Sequence, residues 1–200
     1  MAVPGFGLRW RMVRCRSVKK WAPIVALSAL TAAGPAWSDQ SDPRLPGLFT
    51  QLQAAPSAEA AQPLETQIWG IWMQAGDPAA DQLMATGIGA MNAGDYGSAL
   101  KAFGQLVEAK PAFAEGWNKR ATLLYLLRRY QESAADIAKV LALEPRHFGA
   151  LSGLALCDER LGKDADALQA LRRTAAVFPK MPGLKERIEA LTRKVEGEPI

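Results

Sequence analysis

The sequence predicts an all-α chain built from stacked antiparallel helix pairs, and three observations carry that prediction. Pro111, Pro145 and Pro179 stand at one constant interval. Small residues recur in phase with them, Gly87, Ala121 and Ala155 in one column and Ala99, Ser133 and Ala167 in another. Large apolar residues hold a further column at Phe103, Ile137 and Leu171. A constant period of this kind marks a repeat architecture, in which each unit buries its apolar face against its neighbours.

Taken in chain order, residues 1–38 read as a removable leader. Six basic residues (Arg9, Arg11, Arg14, Arg16, Lys19 and Lys20) precede a short apolar run from Ala22 to Ala33. Gly34-Pro35-Ala36-Trp37-Ser38 then supplies small residues, as in a secretory signal peptide cut after Ser38 or after Ala36. The run is shorter than the roughly 20 residues a membrane helix needs, and Pro35 interrupts any extension. The expectation is export, periplasmic or secreted, with no membrane attachment after cleavage; an uncleaved anchor is the alternative.

Residues 39–78 form an N-terminal extension. A helical piece is expected near 46–54, and a longer one from Ser57 to about Ala75 with Leu64, Ile68, Ile71 and Trp72 on one face. Trp69 lies one full period before Phe103, which makes the second piece look like half of a decayed repeat capping the array. Asp77-Pro78 is a good cap and first-turn pair for the next helix.

Three units follow within 79–181, at 80–111, 114–145 and 148–179, opened by Leu83, Trp117 and Leu151. The small columns let paired helices approach closely, and the large column fills the space between them. Gly94 and Gly162 can adopt the left-handed conformation that ends a first helix, and Asp95 can cap a second. Each closing proline turns the chain because it cannot continue a helix. Tyr96 and Tyr130 share an inner corner where the third unit has Asp164, and Thr86 and Arg120 stand at an otherwise apolar position. From Pro182 on, Leu184, Ile188, Leu191 and Val195 form one stripe of a polar-coated C-terminal capping helix, which with its tail completes 182–200.

In these columns, and in a period of about 34 residues, the chain resembles the tetratricopeptide repeat family. The resemblance implies a right-handed superhelical solenoid whose concave face, lined by the first helix of each pair, holds a protein or peptide partner. At helical spacing that face would carry Met84, Ile88 and Met91, then Asn118, Thr122 and Tyr125, then Ser152, Leu156 and Glu159. Some family members grip a partner's terminal carboxylate with Lys, Arg and Asn. Met84 and Ile88 stand at matching positions here, so Asn118 and Lys119 alone make no such clamp. Exported bacterial members are often adaptors, so the resemblance implies a non-catalytic binding scaffold within an envelope complex. A membrane-tethered assembly factor is the alternative if the leader is retained.

Charge and chemistry point the same way. The chain has 24 basic and 20 acidic residues, but removing the leader's six leaves 18 against 20, a net charge of −2. No polybasic block remains to hold nucleic acid. Cys157 is left alone once Cys15 goes with the leader, so no internal disulfide is expected. His147 reads as an exposed connector residue, and Asp158, Glu159, Asp164 and Asp166 as a solvated surface. Gly87-Ile88-Gly89 begins like a dinucleotide fingerprint, but Asn92 replaces the third glycine and no strand precedes it. Trp69, Trp72 and Trp117 read as core residues. No enzyme, metal or cofactor is called for.

Overall fold

The computed structural model describes residues 39–197, and the expected leader lies outside them. Among the described residues there are helices and no strand. Three hairpins follow one another: α3 (Pro78–Asn92) with α4 (Tyr96–Ala109), α5 (Ala114–Leu126) with α6 (Tyr130–Leu143), and α7 (Phe148–Arg160) with α8 (Asp164–Val177). They are preceded by α1 (Leu45–Ala54) and α2 (Ala58–Trp72) and followed by α9 (Leu184–Glu196). Each second helix packs on the first helix of the next unit, and α9 covers α8.

The repeat columns are packing columns. A Cβ added at Gly87 would lie 2.6 Å from Phe103 Cδ1, so only glycine lets that ring sit against the helix. Ala99, Ala121, Ala155 and Ala167 are buried, as are Phe103, Ile137 and Leu171. Ser133 adds a polar stitch, its Oγ donating to the Ala121 carbonyl at 2.7 Å across the α5–α6 pair. Arg120, out of place in an apolar column, forms a bidentate pair with Asp136 at 2.7 Å and stacks over the Trp117 ring at 4.8 Å.

The three prolines occupy equivalent turns. The carbonyls of Lys110, Glu144 and Phe178 accept from the N–H groups of Phe113, His147 and Met181 at 3.0, 3.1 and 3.2 Å. Each proline therefore sits second in a four-residue turn, where its fixed φ fits. Asp77 caps α3 through Ala79 and Ala80, Asp95 caps α4 through Ser98, and Ser57 caps α2 through Ala60. Gly94 and Gly162 take φ of 76° and 74°, and Arg128 takes 61° at the same corner of the middle unit.

The N-terminal extension departs from its expected place. A decayed repeat would lay α2 on α3 as α4 lies on α5, yet α2 and α3 make no comparable contact and α1 packs on α8. The hairpin's apolar face (Leu45, Phe49, Leu52, Ile68, Ile71 and Trp72) joins one core with Phe148 and Phe178 of the third unit. Gln53 Nε2 donates to the Ala176 carbonyl at 3.1 Å, and Gln40 bonds both the Ala112 carbonyl and the Ala114 N–H. Periodicity places an apolar face on a helix but does not say which apolar surface will cover it.

Candidate functional site

The first helices form the inner layer of the array. α3 contacts α5 and α5 contacts α7, whereas α4 and α6, or α6 and α8, make no comparable contact. The array therefore curves with α3, α5 and α7 on its concave side.

The nine residues expected on that face fall into three groups. At the α3 end Met84 is buried, packed in one core with Phe103, Phe113 and Leu123, and only Ile88 and Met91 remain partly open. At the α7 end Ser152 and Glu159 are engaged by Arg187 of α9, whose guanidinium lies 3.4 Å from the Ser152 Oγ and 2.7 Å from Glu159. Between them Asn118, Thr122, Tyr125 and Leu156 come together around a cavity of about 80 Å³. Gly149 and Gly153 complete its rim, and Ala121, Ser133 and Ile137 line it more deeply. The Tyr125 ring leans on Tyr130, and its hydroxyl accepts from Arg160 Nε at 3.3 Å.

Beside this cavity lies a buried polar cluster that sequence reasoning missed. His147, expected to be an exposed connector, has no solvent exposure. Its Nδ1 accepts from the Ala150 N–H at 3.1 Å and so caps α7. The proton therefore sits on Nε2, which donates to Glu115 Oε2 at 3.0 Å. Asn118 Nδ2 donates to the same oxygen at 3.0 Å, and Lys119 Nζ lies 3.0 Å from the other as an ion contact. Burial alone would raise the Glu115 pKa, but the His147 hydrogen bond and the Lys119 charge hold it below the ordinary glutamate range. Trp72 closes the cluster, stacked on the imidazole at 4.0 Å with 9° between planes. Trp69 stands edge-on to His147 and Phe148, its ring against Gly149. The lone histidine thus links hairpin to array, a role that depends on partners in α2 and α5, far from it in the sequence.

One further reading changes at side-chain level. Asp158 is buried rather than solvated, and burial, with Asp166 nearby, raises its pKa. Cys157 is buried, its thiol pushed up by desolvation and 3.3 Å from the Ser133 Oγ. Neither environment activates a nucleophile. Among the described residues no three His, Cys, Asp or Glu side chains are grouped to hold a metal, and no helix is long and apolar enough to cross a membrane. Gly149 and Gly153 lay within reach of the sequence, because the columns that begin at Asp81 and Ala85 reach them after two repeat steps.

Known proteins share this architecture. A tetratricopeptide repeat profile matches residues 84–143 and 127–182. A TPR repeat-containing protein of Rhizobium etli is 34% identical over 154 residues, spanning 77% of this chain and 76% of that protein. The small glutamine-rich tetratricopeptide repeat-containing protein 2 of Mycosarcoma maydis is 28% identical over 111 residues, 56% of this chain and 32% of its own length. Among solved structures, the first TPR of Spaghetti (RPAP3) bound to an HSP90 peptide superposes with a TM-score of 0.57 at 18% identity, over 59% of this chain and 94% of that one. The Yersinia enterocolitica type III secretion chaperone SycD, in complex with a peptide of the translocator YopD, gives 0.56 at 15% identity, over 59% and 95%.

Proposed function

The chain belongs to the tetratricopeptide repeat family, and from that premise we propose that it is a non-catalytic scaffold holding a protein or peptide segment on the concave face of α3, α5 and α7. The observation that carries this reading is the open stretch of that face, where Thr122, Tyr125 and Leu156 surround a cavity and Ile88 and Met91 of α3 stay partly open, while Met84, Ser152 and Glu159 are engaged within the protein. Concave sites with apolar walls are where ligands are held. A photo-crosslinking residue at Thr122 should capture a partner in cells, whereas one at exposed Lys139 on α6 should not. Equal capture at both positions would move the site off the concave face.

The scaffold is proposed to act outside the cytoplasm, in the periplasm, as an adaptor within an envelope complex. What supports this is the basic, then apolar, then small-residue order of residues 1–38. Mass spectrometry of the purified protein should find its first residue at Trp37 or Asp39. An intact Lys20–Ala33 segment would contradict export by cleavage and favour the tethered form.

A further inference from the structure

Resting on the groove reading above, we propose that the α5–α7 cavity is an anchor pocket for one aliphatic side chain from the interior of a peptide. Three observations converge on that ligand chemistry.

The first is that three of the polar side chains lining the cavity are already engaged within the protein, and the Tyr125 hydroxyl already accepts from Arg160. Asn118 donates to Glu115, Thr122 Oγ1 donates to the Asn118 carbonyl at 2.9 Å, and Ser133 Oγ donates to the Ala121 carbonyl. A charged or polar ligand tip inserted there would lose water and find few partners. Ala121, Ile137 and Leu156 reward an aliphatic tip instead.

The second is size. At about 80 Å³ the cavity is smaller than the roughly 150 Å³ that holds a benzene ring, so a branched aliphatic group fits it better than an aromatic one. Gly153 keeps it open. A Cβ there would meet only Ile137 Cδ1 at 3.4 Å, so packing does not demand glycine as it does at Gly87.

The third is the surrounding charge. Lys119, the cation beside the rim, lies 3.0 Å from Glu115 and faces the Trp69 ring at 5.6 Å. Arg187 is paired with Glu159. Arg160 leans on the Tyr125 hydroxyl at the C-terminal end of α7, whereas Lys119 is in the first half of α5. These cations do not converge on one point, so a ligand's terminal carboxylate has no clamp. Trp69 occupies the space at Gly149, with Cη2 2.8 Å from where a Cβ would be, so the hairpin packs against a residue of the rim.

The test uses the purified full chain and C-terminally amidated nonapeptide libraries whose central residue is fixed as Leu, Val, Phe, Asp or Lys, each repeated with a free carboxylate. The Leu and Val series should be retained over the others, with amide and carboxylate forms alike. Gly153→Val, and separately Thr122→Trp at an exposed position, should weaken the selected peptide about tenfold or more with helicity unchanged. Preference for Asp, for Phe or for a free carboxylate would overturn the proposal, as would unchanged affinity in both variants; in those cases the groove reading survives. Retention of no series at all would overturn both.

Discussion

Arg128 sits with φ 61° at the corner where the first and third units place Gly94 and Gly162. A side chain in the left-handed region costs roughly 1–2 kcal/mol, against a smaller entropic cost for glycine. Arg128→Gly should therefore raise stability by about 0.5–1 kcal/mol in urea unfolding; an unchanged midpoint would mean the corner is not strained. Glu115 gives a residue-level pH dependence. Its folded pKa is lowered, so its contribution is complete above the ordinary glutamate range and is lost as pH falls through the folded value. Acid titration of stability should be shallower in Glu115→Gln than in the wild type, and identical slopes would contradict the buried pair. The repeat columns were legible residue by residue because each is a local packing rule. His147 was not, since its burial is decided by Trp72 and Glu115 from other elements.

At the scale of elements, the helices and their ends were readable from the chain. Ser57, Asp77 and Asp95 cap where their side chains allow, and the prolines end helices where the missing N–H requires it. The partner of α2 was not readable. Its stripe of Ile68, Ile71 and Trp72 announces burial, but the repeat step pointed to α3 while the contacts lead to Phe148 and Phe178. Trp72→Ala should remove a fully buried ring and cost about 3–5 kcal/mol. The loss should show as faster proteolysis within residues 39–76, with α3–α9 keeping their helical signal. Uniform cleavage throughout the chain would mean that hairpin and array unfold as one unit.

Across the whole molecule, a period gave the curved stack and the resemblance gave its concave face, but both left open how much of that face stays free. Met84 sinks into the first unit's core, Arg187 covers Ser152 and Glu159, and Trp69 packs on Gly149. What remains is a short apolar groove centred on Thr122, Tyr125 and Leu156, set by the flanking elements as much as by the repeats. At Gly149 its rim is packed by the hairpin, folded back onto the third unit. The most direct measurement is a nuclear Overhauser spectrum of the protein. The account predicts cross-peaks from the Trp69 ring to the Gly149 α protons and from the Trp72 ring to the His147 ring. Cross-peaks from both tryptophan rings to Leu83 and Gly87 of α3, with none to His147 or Gly149, would place the hairpin on the first unit and contradict it.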